Sequence, residues 1–196
     1  MSRAARCSRS TNETSIEIEL DIDGGGGCEV ATGLPFFDHM LDQLGRHGGF
    51  DLTIRARGDL AIDAHHTVED VGILLGSALN DALGDKKGIR RFGSNSVPLD
   101  EACVDVSLDL SGRPFLLYEV NPPGQKILSD PPFDPQLMEE FWRAFVTSGR
   151  FTMHMVMVRG RNTHHIIEAS FKAAARSLRD AVTVEGGDVP STKGAL

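Results

Sequence analysis

The chain has 196 residues and a mass of 21.2 kDa, which is room for one compact domain or two small fused halves and too little for a multidomain machine. With 40% hydrophobic and 24% charged residues it can build a core, while a net charge of −8 repels a phosphate backbone over most of the surface and removes general nucleic-acid binding. No apolar run approaches the ~18–20 residues of a membrane helix.

Residues 1–10, MSRAARCSRS, have no apolar segment after Arg3, Arg6 and Arg9, so they read as a flexible basic N-terminal tail rather than a targeting signal. Residues 15–22 alternate apolar and polar with period two, as a strand with one wet face does. The GGGG turn at 24–27 and a return over Cys28–Thr32 make this a hairpin. After Pro35, Phe37, Met40, Leu41 and Leu44 fall at helical spacing before a Gly pair, which predicts a helix of about two to three turns. FDLTIRARG alternates as a strand, Asp63 or Thr67 is placed to cap, and VEDVGILLGSALNDALG continues as an apolar-striped helix to Gly84.

The second half repeats this outline. ACVDVSLDLSG and PFLLYEV read as a strand pair, PQLMEEFWRAFVTSG as a helix, TMHMVMVRG as a strand and ASFKAAARSLRDAV as a final helix. Residues 121–135 are Pro-rich and read as a long loop. The pattern predicts an α+β fold made by internal duplication of a β-β-α-β-α half-domain, a layered sandwich with helices covering one face of each sheet. The divisions are a tail at 1–10, half-domains at 11–95 and 96–185, and a C-terminal tail at 186–196. Cys7, Cys28 and Cys103 are odd in number and widely spaced, as free thiols of a reducing cytoplasm are.

The chemistry lies in HHxxE, present once per half as His65, His66 and Glu69 and as His164, His165 and Glu168. With seven histidines in the chain, chance predicts on the order of 0.01 matches, so the doubled motif needs a physical reason. On a helix, residues three apart share a face and adjacent ones diverge by roughly 100°, so His66 is expected to meet Glu69 and His165 to meet Glu168, with His65 and His164 aimed elsewhere. Adjacent imidazoles aimed apart suit two metal ions, and a donor set without thiolate favours Mn²⁺, Fe²⁺ or Zn²⁺. His39 and His154, one per half, are candidate further ligands; His47 is equally readable as a helix-end histidine. Glu69 and Glu168 would also complement a helix dipole, but that leaves the paired histidines unexplained. A dinuclear phosphate-ester hydrolase and a metal-storage shell use similar donors.

FFDHMLDQLGRHGGFDL, DAHHTVEDVGI, RFGSNSVPLDEA, DLSGRP, HHIIEASFKA and PSTKG, in this order from Thr11 to Gly194, resemble the imidazoleglycerol-phosphate dehydratase family. The resemblance implies two halves like the second domain of ribosomal protein S5, and a hydro-lyase of histidine biosynthesis. It further implies two Mn²⁺ per active site and a cytoplasmic homo-24-mer with sites at subunit interfaces. One ion would take His39, His66, Glu69 and His164, the other His65, His154, His165 and Glu168. Water would leave imidazole glycerol phosphate to give imidazole acetol phosphate through an imidazolate and a diazafulvene-like species, with Glu13 as base. Gln43 would bind substrate, and Arg91, Arg113, Lys172, Ser191 and Lys193 the phosphate, the PSTKG tail closing over it.

Overall fold

A computed structural model describes residues 3–124 and 126–194. The first half runs β1 (Ala4–Ser10), β2 (Thr14–Asp21), β3 (Cys28–Ala31), α1 (Pro35–Gly48), β4 (Asp51–Gly58) and α2 (His65–Leu83). The second runs β5 (Phe92–Leu99), β6 (Ala102–Asp109), β7 (Phe115–Glu119), α3 (Leu137–Gly149), β8 (Thr152–Arg159) and α4 (Thr163–Val182). Each half forms one four-stranded sheet, ordered β1-β2-β4-β3 and β5-β6-β8-β7, so the duplication extends to strand order. The unit is β-β-β-α-β-α, one strand longer than the apolar alternation indicates.

The extra strand corrects the N-terminal tail. Ala4–Ser10 pairs antiparallel with β2 along its length, from Ala4↔Asp21 to Ser10↔Ser15. Its pattern is hidden because only the small Ala5 and Cys7 pack partly on the core, while its arginines face carboxylates. Arg3 Nε donates to Asp23 at 3.0 Å, Arg6 lies 3.3 Å from Glu19, and Arg9 Nε donates to Asp70 at 2.9 Å. Deleting residues 1–10 is therefore expected to lower the melting temperature by at least about 5 °C, since it bares the edge of β2 and strips buried Asp70 of its guanidinium. An unchanged melt would return the segment to a tail.

Both expected strand pairs are also corrected. β3 and β7 do not pair with the strands preceding them; each runs parallel to the later strand of its half, β4 or β8, across an intervening helix. The GGGG loop wraps a carboxylate instead of closing a hairpin: Gly25 and Gly27 N–H groups donate to Asp51 Oδ1 at 3.0 and 2.8 Å. These contacts hold Asp51 below the usual carboxylate range, the Gly27 bond most. The boundary between halves precedes Phe92, because β5 belongs to the second sheet, so it lies earlier than residue 95. Glycine and proline hide β5, whose sequence is FGSNSVPL.

The four helices fill the space between the sheets. α2 lies on β1 and β2 and packs along α3; α4 lies on β5 and β6 and packs along α1. Inward Ile16, Ile18 and Leu20 of β2 and Val104, Val106 and Leu108 of β6 are buried, their alternate neighbours exposed, as one wet sheet face requires. Trp142, Phe141, Phe145 and Phe171 cluster at the centre, with Phe141 stacked on Phe145 and Phe171. α1 has 14 residues, nearer four turns than three, and stops where Gly49 turns left-handed at φ 68°. The 121–135 loop contributes Phe133, buried against Phe36 and Phe37. Among the described residues no helix is long and apolar enough to cross a membrane.

Candidate active site

Both HHxxE motifs lie inside the first turns of their helices. Asp63 Oδ1 accepts the His65 N–H at 2.8 Å, and Asn162 Oδ1 accepts those of His164 and His165 at 2.9 and 3.3 Å. Thr67 does not cap; its hydroxyl is buried without a hydrogen-bond partner. The adjacent rings stand nearly perpendicular, at 86° for His65 and His66 and 85° for His164 and His165. The expected splay is present in both halves.

Which histidine meets the glutamate is the reverse of the three-residue expectation. His164 Nε2 lies 3.0 Å from Glu168 Oε2 and His65 Nε2 lies 3.7 Å from Glu69 Oε2, so the first histidine of each motif pairs one full turn ahead. The second turns to a carboxylate outside its helix. His66 Nδ1 is 3.0 Å from Asp59, with Glu13 at 3.8 Å, and His165 Nδ1 is 2.8 Å from Glu101. Side chains on a helix lean back toward its N-terminus, which favours the i, i+4 pair and leaves the neighbouring ring to the loop beneath it.

Packing of α1 on α4 brings His39 to the second motif. His39 Nε2 lies 3.3 Å from the same Glu168 oxygen, and the His39 and His164 ring centroids are 5.8 Å apart. His39, His164 and Glu168 each offer a donor atom within 4.8 Å of the others. Within one chain the grouping differs from the one the resemblance implies: Glu168 joins His39 and His164, and neither His66 nor Glu69 is part of that cluster. His154 faces out from β8 beside Phe115, with ring centroids 5.8 Å apart, away from that cluster.

Glu168 is 12% exposed, but His39 and His164 keep 44% and 43% of their side chains in solvent, so the cluster is open to a ligand. Burial pushes the Glu168 carboxyl up; Lys172, His164 and His39 outweigh it and bring it to about 2. Lys172 Nζ lies 2.6 Å from Glu168 Oε1. The Asp59 hydrogen bond raises the His66 imidazole above its usual value, and the hydrogen bond from His165 leads the causes that hold Glu101 at about 2. Phe36 sets its ring edge-on to His164 at 5.3 Å and rests on Phe133, so the long loop supports the cluster from behind.

The expected phosphate residues fall into two groups. Arg91 forks onto Asp109 at 2.6 and 3.1 Å and donates to the Pro190 carbonyl at 2.8 Å, tying the start of PSTKG to the second half. Arg113 lies 3.8 Å from the same Asp109, and Lys193 N–H donates to Ser191 Oγ at 3.2 Å. Lys172 stands apart, with the His39 cluster. Gln43 Oε1 lies 3.2 Å from His47 Nε2 on α1, and burial, then Lys172 and Arg176, push the His47 imidazole below its usual value. His47 thus lines the α1–α4 seam. Sequence reasoning passed over Asp59, Glu101 and Asp109; aligning the two halves would have marked Glu101, which precedes the second strand of its half as Glu13 does.

Two copies of one α+β unit, each presenting a histidine pair and a glutamate from the start of its last helix, define an enzyme built on imidazole and carboxylate donors. Residues 32–178 match the family model described as imidazoleglycerol-phosphate dehydratase. The chain is 54% identical to the imidazoleglycerol-phosphate dehydratase of Acidiphilium cryptum over the whole of both chains, and 54% identical to that of Paracoccus denitrificans over 99% of this chain and 100% of the other. Its fold is similar to the crystal structure of the Staphylococcus aureus enzyme, with a TM-score of 0.83 and 38% identity, covering 92% of this chain and 99% of that one. The Pyrococcus furiosus structure also gives a TM-score of 0.83, with 37% identity, covering 97% and 100%. The chain belongs to the imidazoleglycerol-phosphate dehydratase family and is a hydro-lyase of histidine biosynthesis.

Proposed function

We propose that this chain removes water from imidazole glycerol phosphate to give imidazole acetol phosphate, with two Mn²⁺ ions in each active site. The observation that carries this reading is the open trio of His39, His164 and Glu168, whose donor atoms lie within 4.8 Å of one another. Imidazole and carboxylate without thiolate fit Mn²⁺. On this reading His39, His164 and Glu168 hold one ion, and His65 with Glu69 begins the other site. When bound, the ions supply Lewis acidity that polarises the substrate's imidazole and helps the neighbouring hydroxyl depart, without any redox change.

The chain's own groups do the rest. Glu13, 3.8 Å from His66 and half-exposed, takes the proton from the second carbon out from the ring, next to the one that has lost its hydroxyl to give a diazafulvene-like species, leaving an enol that tautomerises to the ketone. Gln43 on the α1–α4 seam contacts substrate, while Lys172, Arg91, Arg113, Ser191 and Lys193 neutralise the phosphate. Lys172 and the Arg91 group have separate partners, and exposed His154 and half-buried His66 and His165 stand outside the trio, which supports active sites completed by neighbouring copies. The proposed assembly is a homo-24-mer of the reducing cytoplasm, in keeping with three free cysteines.

Metal-stripped protein should be inactive on imidazole glycerol phosphate and recover turnover with Mn²⁺. Light scattering should give a particle 24 times the 21.2 kDa chain. Release of inorganic phosphate instead of a ketone would favour a hydrolase, and turnover untouched by metal removal would overturn the assignment.

A further inference from the structure

Glu101 ends the turn before β6, as Glu13 ends the turn before β2. The duplication has therefore put a glutamate at the same place in both halves, within reach of the second histidine of the local motif. The two now stand differently. Glu101 Oε2 contacts His165 Nδ1 at 2.8 Å, while its Oε1 accepts the Asn162 and Arg161 N–H groups at 2.8 and 3.3 Å. Glu13 stays 3.8 Å from His66 Nδ1, because both Asp59 oxygens hold that nitrogen at 3.0 and 3.1 Å.

We infer that Glu101 and Asp59 are positioning residues that fix the Nδ1–H form of His165 and His66 and so leave Nε2 as the lone-pair atom of each ring, that of His165 lying 3.9 Å from the exposed Asp100 carboxylate, and that Asp59 has taken over this task in the first half and left Glu13 free. A carboxylate accepts and cannot donate, so it selects the ring form with hydrogen on Nδ1. Orienting partners of this kind govern how well an imidazole binds metal. A duplicated glutamate is released for proton transfer only where a second acid replaces it, and Asp59 occurs only in the first half. At the corresponding place before α4 the chain has Gly160. The inference rests on the proposed Mn²⁺ centre for its consequence but on hydrogen bonding within the chain for its cause.

The test uses the assembled protein with Glu101→Gln, Asp59→Asn and Glu13→Gln. Glutamine at 101 keeps an oxygen for the Asn162 and Arg161 N–H groups but turns an amide NH₂ to His165, so a purely structural role survives while the ring form reverses. Mn²⁺ affinity, read from the free-ion electron paramagnetic resonance signal, should weaken about 10–100-fold in Glu101→Gln and in Asp59→Asn and stay within about twofold in Glu13→Gln. Solid-state nitrogen NMR of histidine-labelled, metal-free protein should show one imidazole changing from Nδ1–H to Nε2–H in each of the first two variants. Parent-like affinity and unchanged ring forms in Glu101→Gln and Asp59→Asn would overturn the inference. Changed ring forms in a protein whose unmodified chain binds no Mn²⁺ would support the positioning role and sink the metal centre instead.

Discussion

Glu168→Gln is expected to lower kcat/KM by roughly 10³-fold or more, because on the proposed reading this carboxylate is one of the metal's donors, and transition-state stabilisation by a bound metal amounts to several kcal/mol. One oxygen of Glu168 faces both His39 and His164, and the other faces Lys172. An amide removes the charge from all three contacts and leaves the ammonium of Lys172, 18% exposed, without its counter-ion. Steady-state kinetics at saturating Mn²⁺, with metal content measured on the same samples, check the result. Retained turnover with full metal content would remove Glu168 from the site.

The same residue carries a pH dependence of stability. Its folded-state value of about 2 lies below the ordinary glutamate value of ~4.3, so its ionised contacts stabilise the fold above about pH 4.3. That contribution is lost as pH falls from there toward 2. Thermal melts of metal-free protein should therefore show the parent's advantage over Glu168→Gln shrinking between about pH 6 and pH 3. A constant gap would mean that the carboxylate's contacts contribute nothing in solution.

Gly76→Val is expected to destabilise the fold by about 3 kcal/mol or more and to lower the melting temperature by roughly 6–12 °C, through overpacking where α2 and α3 touch. Gly72 and Gly76 are one turn apart on α2, on the face against α3. A Cβ at Gly76 would stand 2.4 Å from the Phe145 carbonyl oxygen and 2.7 Å from the Gly149 nitrogen; at Gly72 it would stand 2.7 Å from the Phe141 oxygen. These neighbours are backbone and cannot swing aside, so the helices must part. Separating them loosens the Trp142–Phe141–Phe145 cluster on α3. Equilibrium urea unfolding measures the change; a parent-like midpoint would show that the seam is loosely packed.

Several elements were legible because their signal is local. β2, β4, β6 and β8 alternate with period two, and α1, α2 and α4 carry apolar stripes, so each shows its buried face in its own sequence. β1 and β5 were not legible, since Ala, Ser, Arg, Gly and Pro form a strand there only because β2 and β6 supply partners for their backbone groups. Parallel pairing of β3 with β4 and of β7 with β8 also escaped, because adjacency in the chain suggests a hairpin whereas the intervening helix allows a crossover.

At the site, spacing identified the paired histidines, their glutamates and the divergence of adjacent rings, all consequences of helical geometry over five residues. By itself the sequence thus determined that this protein has two similar halves, each with an imidazole–carboxylate motif beside a helix start. Only the tertiary structure decided which groups meet. His39 reaches Glu168 across 129 positions because α1 packs on α4, Glu101 reaches His165 because a turn between strands lies under the start of α4, and Arg91 holds Pro190 because the C-terminal segment folds back over the second half. The physical reason is that a motif governs directions along its own helix, whereas a donor set is closed by side chains from elements brought together by burial of the core.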